Sequence, residues 1–141
     1  MNVDSELEAS LNVIEIDSTL EAAKQPEAVI LREVDRCGYG EDATFAIKLA
    51  LEEAMTNAVK HGNRQDSARR VIVRYSVTRE RTVILVQDQG DGFMPADVPD
   101  PTRPDRLPLP TGRGIMLMRA YMSEVHYRKG GTEVCLIKRN E

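Results

Sequence analysis

The sequence predicts an α+β fold, with helices on one face of a sheet that is mixed but mostly antiparallel. Two observations carry this. Short apolar runs come in two pairs, each joined by a connection short enough to force an antiparallel return. Ahead of them stand two longer stretches whose apolar residues recur at helical spacing. The chain has 141 residues, 41% of them hydrophobic, which suits one domain over 1–141 with one core. Aromatic residues are 4% and Trp is absent, so that core is aliphatic.

In chain order, residues 10–17 (Ser-Leu-Asn-Val-Ile-Glu-Ile-Asp) read as a strand. Ser18-Thr19-Leu20-Glu21 then has the form of a capping box opening a helix. Pro26 sits inside that pattern, so the helix either kinks there or starts near it. It runs to Cys37, and Gly38 and Gly40 end it. A second helix is predicted from about Asp42 to His61, with Phe45, Leu49 and Ala50 at helical spacing and Gly62 just past its end. Strands follow at 71–77 and 82–86, with Arg79-Glu80-Arg81 between them. From Asp88 to about Gly112 there is no periodicity, and six of the seven prolines fall there. A loop of that length inside a compact domain is usually functional or mobile. Residues 115–122 read as a short helix. Strands at 124–127 and 133–138 flank Gly130-Gly131, a good hairpin turn.

The formal net charge is −4, from 19 basic and 23 acidic residues. This argues against nucleic-acid binding through bulk positive charge. No apolar stretch approaches the ~20 residues of a membrane helix. The start, Met-Asn-Val-Asp-Ser-Glu, is acidic where a signal peptide would be basic. A cytoplasmic protein is expected. Cys37 and Cys135 form no Cys-x-x-Cys pair and read as two reduced, partly buried thiols.

Three clusters offer chemistry. On the second helix, Glu53, Asn57 and His61 fall on one stripe at spacings of four, with Lys60 beside them and Ala50, Ala54 and Ala58 along the stripe. Small neighbours let a ligand come close. The Asn carbonyl oxygen suits Mg²⁺, and Glu53 one turn earlier can take a proton. An exposed helix face with i,i+4 pairs has the same pattern. Second, Asp88-Gln89-Gly90-Asp91-Gly92 follows an apolar strand. Asp88 is an acceptor in a fixed place, fit for an exocyclic amine such as that of adenine, and the glycines permit close backbone approach. A plain Gly-rich turn would read alike; an EF-hand would need further oxygen ligands where prolines stand. Third, Gly112-Arg113-Gly114 opens the short helix. Free amides there bind anions, and Arg113 adds a charge-assisted bond; helix capping alone is the alternative. No Walker loop is present. Thr132, after Gly131 at a strand start, adds a hydroxyl.

Taken together and in order, Glu53-Ala-Met-Thr-Asn57, Asp88-x-Gly90-x-Gly92, Gly112-x-Gly114 and Gly131-Thr132 resemble the N, G1 and G2 boxes of the GHKL ATPase superfamily. Within it, residues 49–63 and 114–125 resemble the anti-sigma-factor serine/threonine kinases. The resemblance covers roughly residues 10–138. It implies the Bergerat α/β sandwich, ATP and Mg²⁺ as cofactors, and a Pro-rich ATP lid at about 93–111. It makes Glu53 the general base and Asn57 the Mg²⁺ ligand. Asp88 and Thr132 read the base, Gly90 and Gly92 shape its pocket, and Gly112, Arg113 and Gly114 hold phosphates. Lys60 and His61 fall within the nucleotide site. The implied partners are a sigma factor, a STAS-domain antagonist as phospho-acceptor, and a second copy of the chain. The alternative reading is a nucleotide-dependent module of the same fold that sequesters its partner without catalysis.

Overall fold

The computed structural model describes residues 10–64, 66, 68–90 and 117–141. Its elements are β1 (Asn12–Asp17), α1 (Lys24–Arg36), α2 (Glu41–Thr56), a π-helical turn (Asn57–Gly62), β2 (Arg70–Val77), β3 (Arg81–Gln87), helical residues 117–121, β4 (Glu124–Arg128), a 3₁₀ turn (Lys129–Gly131) and β5 (Glu133–Arg139). The five strands form one sheet in the order β1-β2-β3-β5-β4, and all four pairings are antiparallel.

Period-2 alternation sends Val71, Val73 and Tyr75 of β2 and Ile84 and Val86 of β3 to one face, with Val134 and Leu136 of β5. There they meet Ile30 and Val34 of α1 and Ala43, Ile47, Ala50 and Leu51 of α2. Ile30, Ile47, Leu51, Ile84 and Leu136 are wholly buried, and burying each such side chain stabilises by about 1.5–3 kcal/mol. The far face carries a second apolar cluster: Leu11, Val83, Leu85, Cys135 and Ile137. β3 and β5 are therefore buried on both faces, which is why they read as continuous apolar runs. Burial pushes the Cys135 thiol up to about 11.

The helices depart from the sequence reading in three places: the Ser18 cap, the orientation of Phe45 and the last turn of the second helix. Ser18 does not cap a helix; its hydroxyl accepts a hydrogen bond from Asn63 Nδ2 at 3.0 Å. Thr19 Oγ1 instead accepts from the Ala22 amide at 3.0 Å. α1 proper begins at Lys24, which puts Pro26 in the first turn, where its missing N–H costs nothing. The end of α1 is as expected: Gly38, at φ 80°, donates to Asp35 O, and the Tyr39 amide reaches back to Val34 O at 3.3 Å, a Schellman closure. Phe45 does not face the core: it is 57% exposed and meets Tyr121 edge-on, ring centroids 6.3 Å apart. The predicted second helix stops being α-helical at Thr56 and continues as the π turn.

Candidate functional site

One end of the sheet gathers the predicted polar residues because of the strand order. Asp88 follows β3 and Thr132 precedes β5. The two strands are antiparallel neighbours, so both residues stand at the same end. The Asp88 amide donates to Thr132 O at 2.9 Å, extending the ladder one step. The π turn arrives above this end. Its wider winding turns Asn57, Ala58, His61 and Gly62 toward one cavity, and the Asn63 amide closes it on Ala58 O at 2.8 Å. Single π turns of this kind are frequent at functional sites.

The cavity has a volume of ≈ 170 Å³. Ala54, Ala58, Val86, Met118 and Val134 supply apolar walls, and Asn57, His61, Asp88, Thr132 and Tyr127 supply polar groups. An apolar cavity of about 150 Å³ takes a benzene ring, so the volume and lining fit a flat base with its polar edge toward Asp88. The Asp88 carboxylate lies over Gly62: a Cβ on Gly62 would collide with it, and one on Gly90 would collide with the Gly62 carbonyl. Gly62 and Gly90 thus allow two backbone segments and a carboxylate to meet where no side chain fits. Asp88 Oδ1 accepts the Gly90 amide at 2.7 Å. Burial raises the Asp88 pKa, against the pull of the Gly90 N–H and of Arg69. Burial also raises that of Tyr127.

Of the residues that the sequence singled out, Asn57, His61, Asp88 and Thr132 come together at the cavity. Gly90 packs beneath it, against Gly62. Glu53 is half-buried one turn before Asn57, and Lys60 is exposed; neither lines the cavity. Gly92, Gly112, Arg113, Gly114 and the loop at 93–111 lie outside the described residues. Sequence reasoning missed the close packing of Gly62, which it took for a helix stop. It also missed Arg64, which lines the cavity with φ 52°, and Tyr127. No periodicity marks either of the last two. Asn63 was missed as well; it stands wholly buried behind Asp88.

Comparison with known proteins places this geometry. The histidine kinase-like ATPase domain family matches residues 16–138. A serine-protein kinase RsbW of Bacillus licheniformis is 36% identical over 114 residues, 73% of this chain and 69% of that protein. A serine-protein kinase RsbW of Listeria monocytogenes is 27% identical over 136 residues, 85% of each chain. The crystal structure of the RsbU and RsbW domains of a Mycobacterium tuberculosis protein superimposes with a TM-score of 0.59 at 21% identity, covering 92% of this chain and 32% of that one; it speaks for the fold. The family match over residues 16–138, on an antiparallel sheet with helices on one face, makes this an ATPase domain of the GHKL type. The chain belongs to the histidine kinase-like ATPase domain family, and within it groups with the serine-protein kinases of the RsbW kind.

Proposed function

We propose that the chain is an ATP-dependent serine/threonine kinase and anti-sigma factor, which phosphorylates a STAS-domain antagonist in a partner-switching pathway. The observation that carries this is the placement of Asp88 over Gly62 at the floor of an apolar cavity that Asn57 also lines. A half-buried carboxylate beside apolar walls suits an adenine amine. Thr132 joins it at the base edge; its hydroxyl donates to Lys129 O at 2.8 Å and keeps its lone pairs for a ligand.

Asn57 is the residue that would hold Mg²⁺, through its side-chain oxygen. Lys60 and His61 lie on the same turn, on the phosphate side. Gly90 and Gly92 shape the base pocket, and Gly112, Arg113 and Gly114, with a lid at about 93–111, complete the phosphate site. ATP supplies the phosphoryl group. Phosphoryl transfer asks the protein mostly for positioning and charge stabilisation. Glu53 takes the acceptor hydroxyl proton as that oxygen bonds to phosphorus and the bond to the ADP oxygen breaks. The chain acts as a homodimer in the cytoplasm, binds a sigma factor in a stress-response switch, and touches neither nucleic acid nor membrane.

The test is phosphotransfer. The protein is incubated with Mg·ATP and the STAS-domain proteins of the same cell, and phosphoserine or phosphothreonine is sought by mass spectrometry. A phosphorylated STAS protein, lost with Glu53→Ala while ATP binding persists, is the expected result. ATP binding and a stable STAS or sigma complex without any phosphoserine would instead make the chain a sequestering module. Full-rate transfer by Glu53→Ala would remove Glu53 as the base.

A further inference from the structure

Behind the cavity lies a residue with no direct part in it. Asn63 is 0% exposed, and every polar atom of its carboxamide is used. Nδ2 donates to Ser18 Oγ at 3.0 Å and to Arg70 O at 3.0 Å. Oδ1 accepts the Gln89 amide at 2.7 Å. The Gln89 side chain returns the contact, its Oε1 accepting the Arg70 amide at 2.7 Å. Four segments meet here: the exit of β1, the end of the π turn, the entry of β2 and the loop after β3.

The consequence falls on Asp88. Its own amide is held by Thr132 O at 2.9 Å, and the next amide, Gln89, is held by Asn63. Anchoring two successive amides fixes the peptide between them and so the direction of the Asp88 side chain. The Asn63 bond ties that direction to the turn carrying Asn57 and His61, because Asn63 directly follows it. Hydrogen bonds weaken steeply with misalignment, so an acceptor that reads a base edge depends on such a tie.

We propose that Asn63 is the positioning residue of the nucleotide site: through the Gln89 amide it sets the Asp88 carboxylate at the base, and thereby sets selectivity for an amino-bearing purine. This rests on the reading of Asp88 as the adenine acceptor given above. Ser18 is the outer anchor of the same carboxamide and has no bond to the loop, so it separates positioning from folding.

The experiment compares equilibrium binding of ATP and ITP, whose base carries an oxo group in place of the amine, with thermal unfolding recorded alongside. The wild type is expected to prefer ATP at least tenfold. Asn63→Ala should cut that preference fivefold or more in protein that still melts cooperatively. Ser18→Ala should lower Tm and keep the preference within twofold. Asn63→Asp keeps an oxygen for the Gln89 amide and loses the donor to Arg70 O; it should lower Tm and keep most of the preference. A folded Asn63→Ala with undiminished preference overturns the proposal. If Asn63→Ala does not fold, loss of preference in folded Asn63→Asp or Ser18→Ala overturns it. A wild type that binds ATP and ITP alike refutes the Asp88 reading itself, and the role of Asn63 falls with it.

Discussion

Asp88 is where charge and packing meet most directly. Its carboxylate sits over a glycine and beside another, with one backbone amide to satisfy it. Because burial raises its folded pKa, the stability linked to protonation is present below the ordinary carboxylate value of about 4. It is lost as pH rises through the higher folded value. Above that value the nucleotide-free protein carries the cost of a partly desolvated, ionised carboxylate. Asp88→Asn is expected to raise the Tm of the nucleotide-free protein at pH 7, because the amide removes the charge that burial disfavours. The gain should shrink toward zero below pH ~4, and ATP affinity should fall in the same variant. Melting curves across pH check this, and a lower Tm at pH 7 would contradict the burial argument. The glycines that enclose Asp88 were only partly legible: Gly90 belongs to a motif, whereas Gly62 read as a helix stop. What a missing Cβ is for depends on which segment comes to lie against it.

The second helix shows what periodicity can and cannot tell. Its buried side, Ala43, Ala46, Ile47, Ala50, Leu51, Ala54 and Met55, follows the helical repeat, and its existence was readable from the apolar spacing. Its last turn was not. Asn57–Gly62 winds as a π turn, and nothing in the residue types distinguishes that from one more α turn. The extra residue is accommodated because Gly62 packs on Asp88 and Asn63 is tied to three other segments. Phe45 misled in the same way: apolar and in phase, it nonetheless points outward and meets Tyr121 edge-on, a residue 76 positions away that periodicity does not reveal. Leu51→Ala, on the sheet side of this helix, is expected to cost about 2–5 kcal/mol. Chemical denaturation should show a lower midpoint with an unchanged slope. A cost under 1 kcal/mol would mean that the helix is not seated on the sheet as described.

At the scale of the whole molecule, the strand order does the work of assembly. β5 returns between β3 and β4, which brings Thr132 beside Asp88 across 44 residues of chain. The far face is apolar as well, with Val83, Leu85, Cys135 and Ile137 around Leu11. Beyond its edge, the buried Glu133 carboxylate gathers Arg128 at 3.1 Å, Lys129 at 3.5 Å and Arg74 at 3.7 Å, which ties the β4–β5 hairpin to β2. A ligand that binds only the folded chain must stabilise it. Mg·ATP at 100 times its Kd should add about 2.7 kcal/mol, read as a Tm that climbs with nucleotide concentration. A Tm indifferent to saturating Mg·ATP would leave the cavity without its proposed ligand.

By itself the sequence determined the class of fold, the β2–β3 and β4–β5 antiparallel pairs, and Asn57, His61 and Asp88 as polar residues that line one cavity; Glu53 and Lys60, singled out with them, do not line it. These follow from local rules: alternation, helical repeat, and glycine where a backbone must bend or be approached. The π turn, the glycine-on-carboxylate packing and the Asn63 junction were decided only by the tertiary structure. Each depends on contacts between segments far apart in sequence, and the energy of such a contact belongs to neither segment alone.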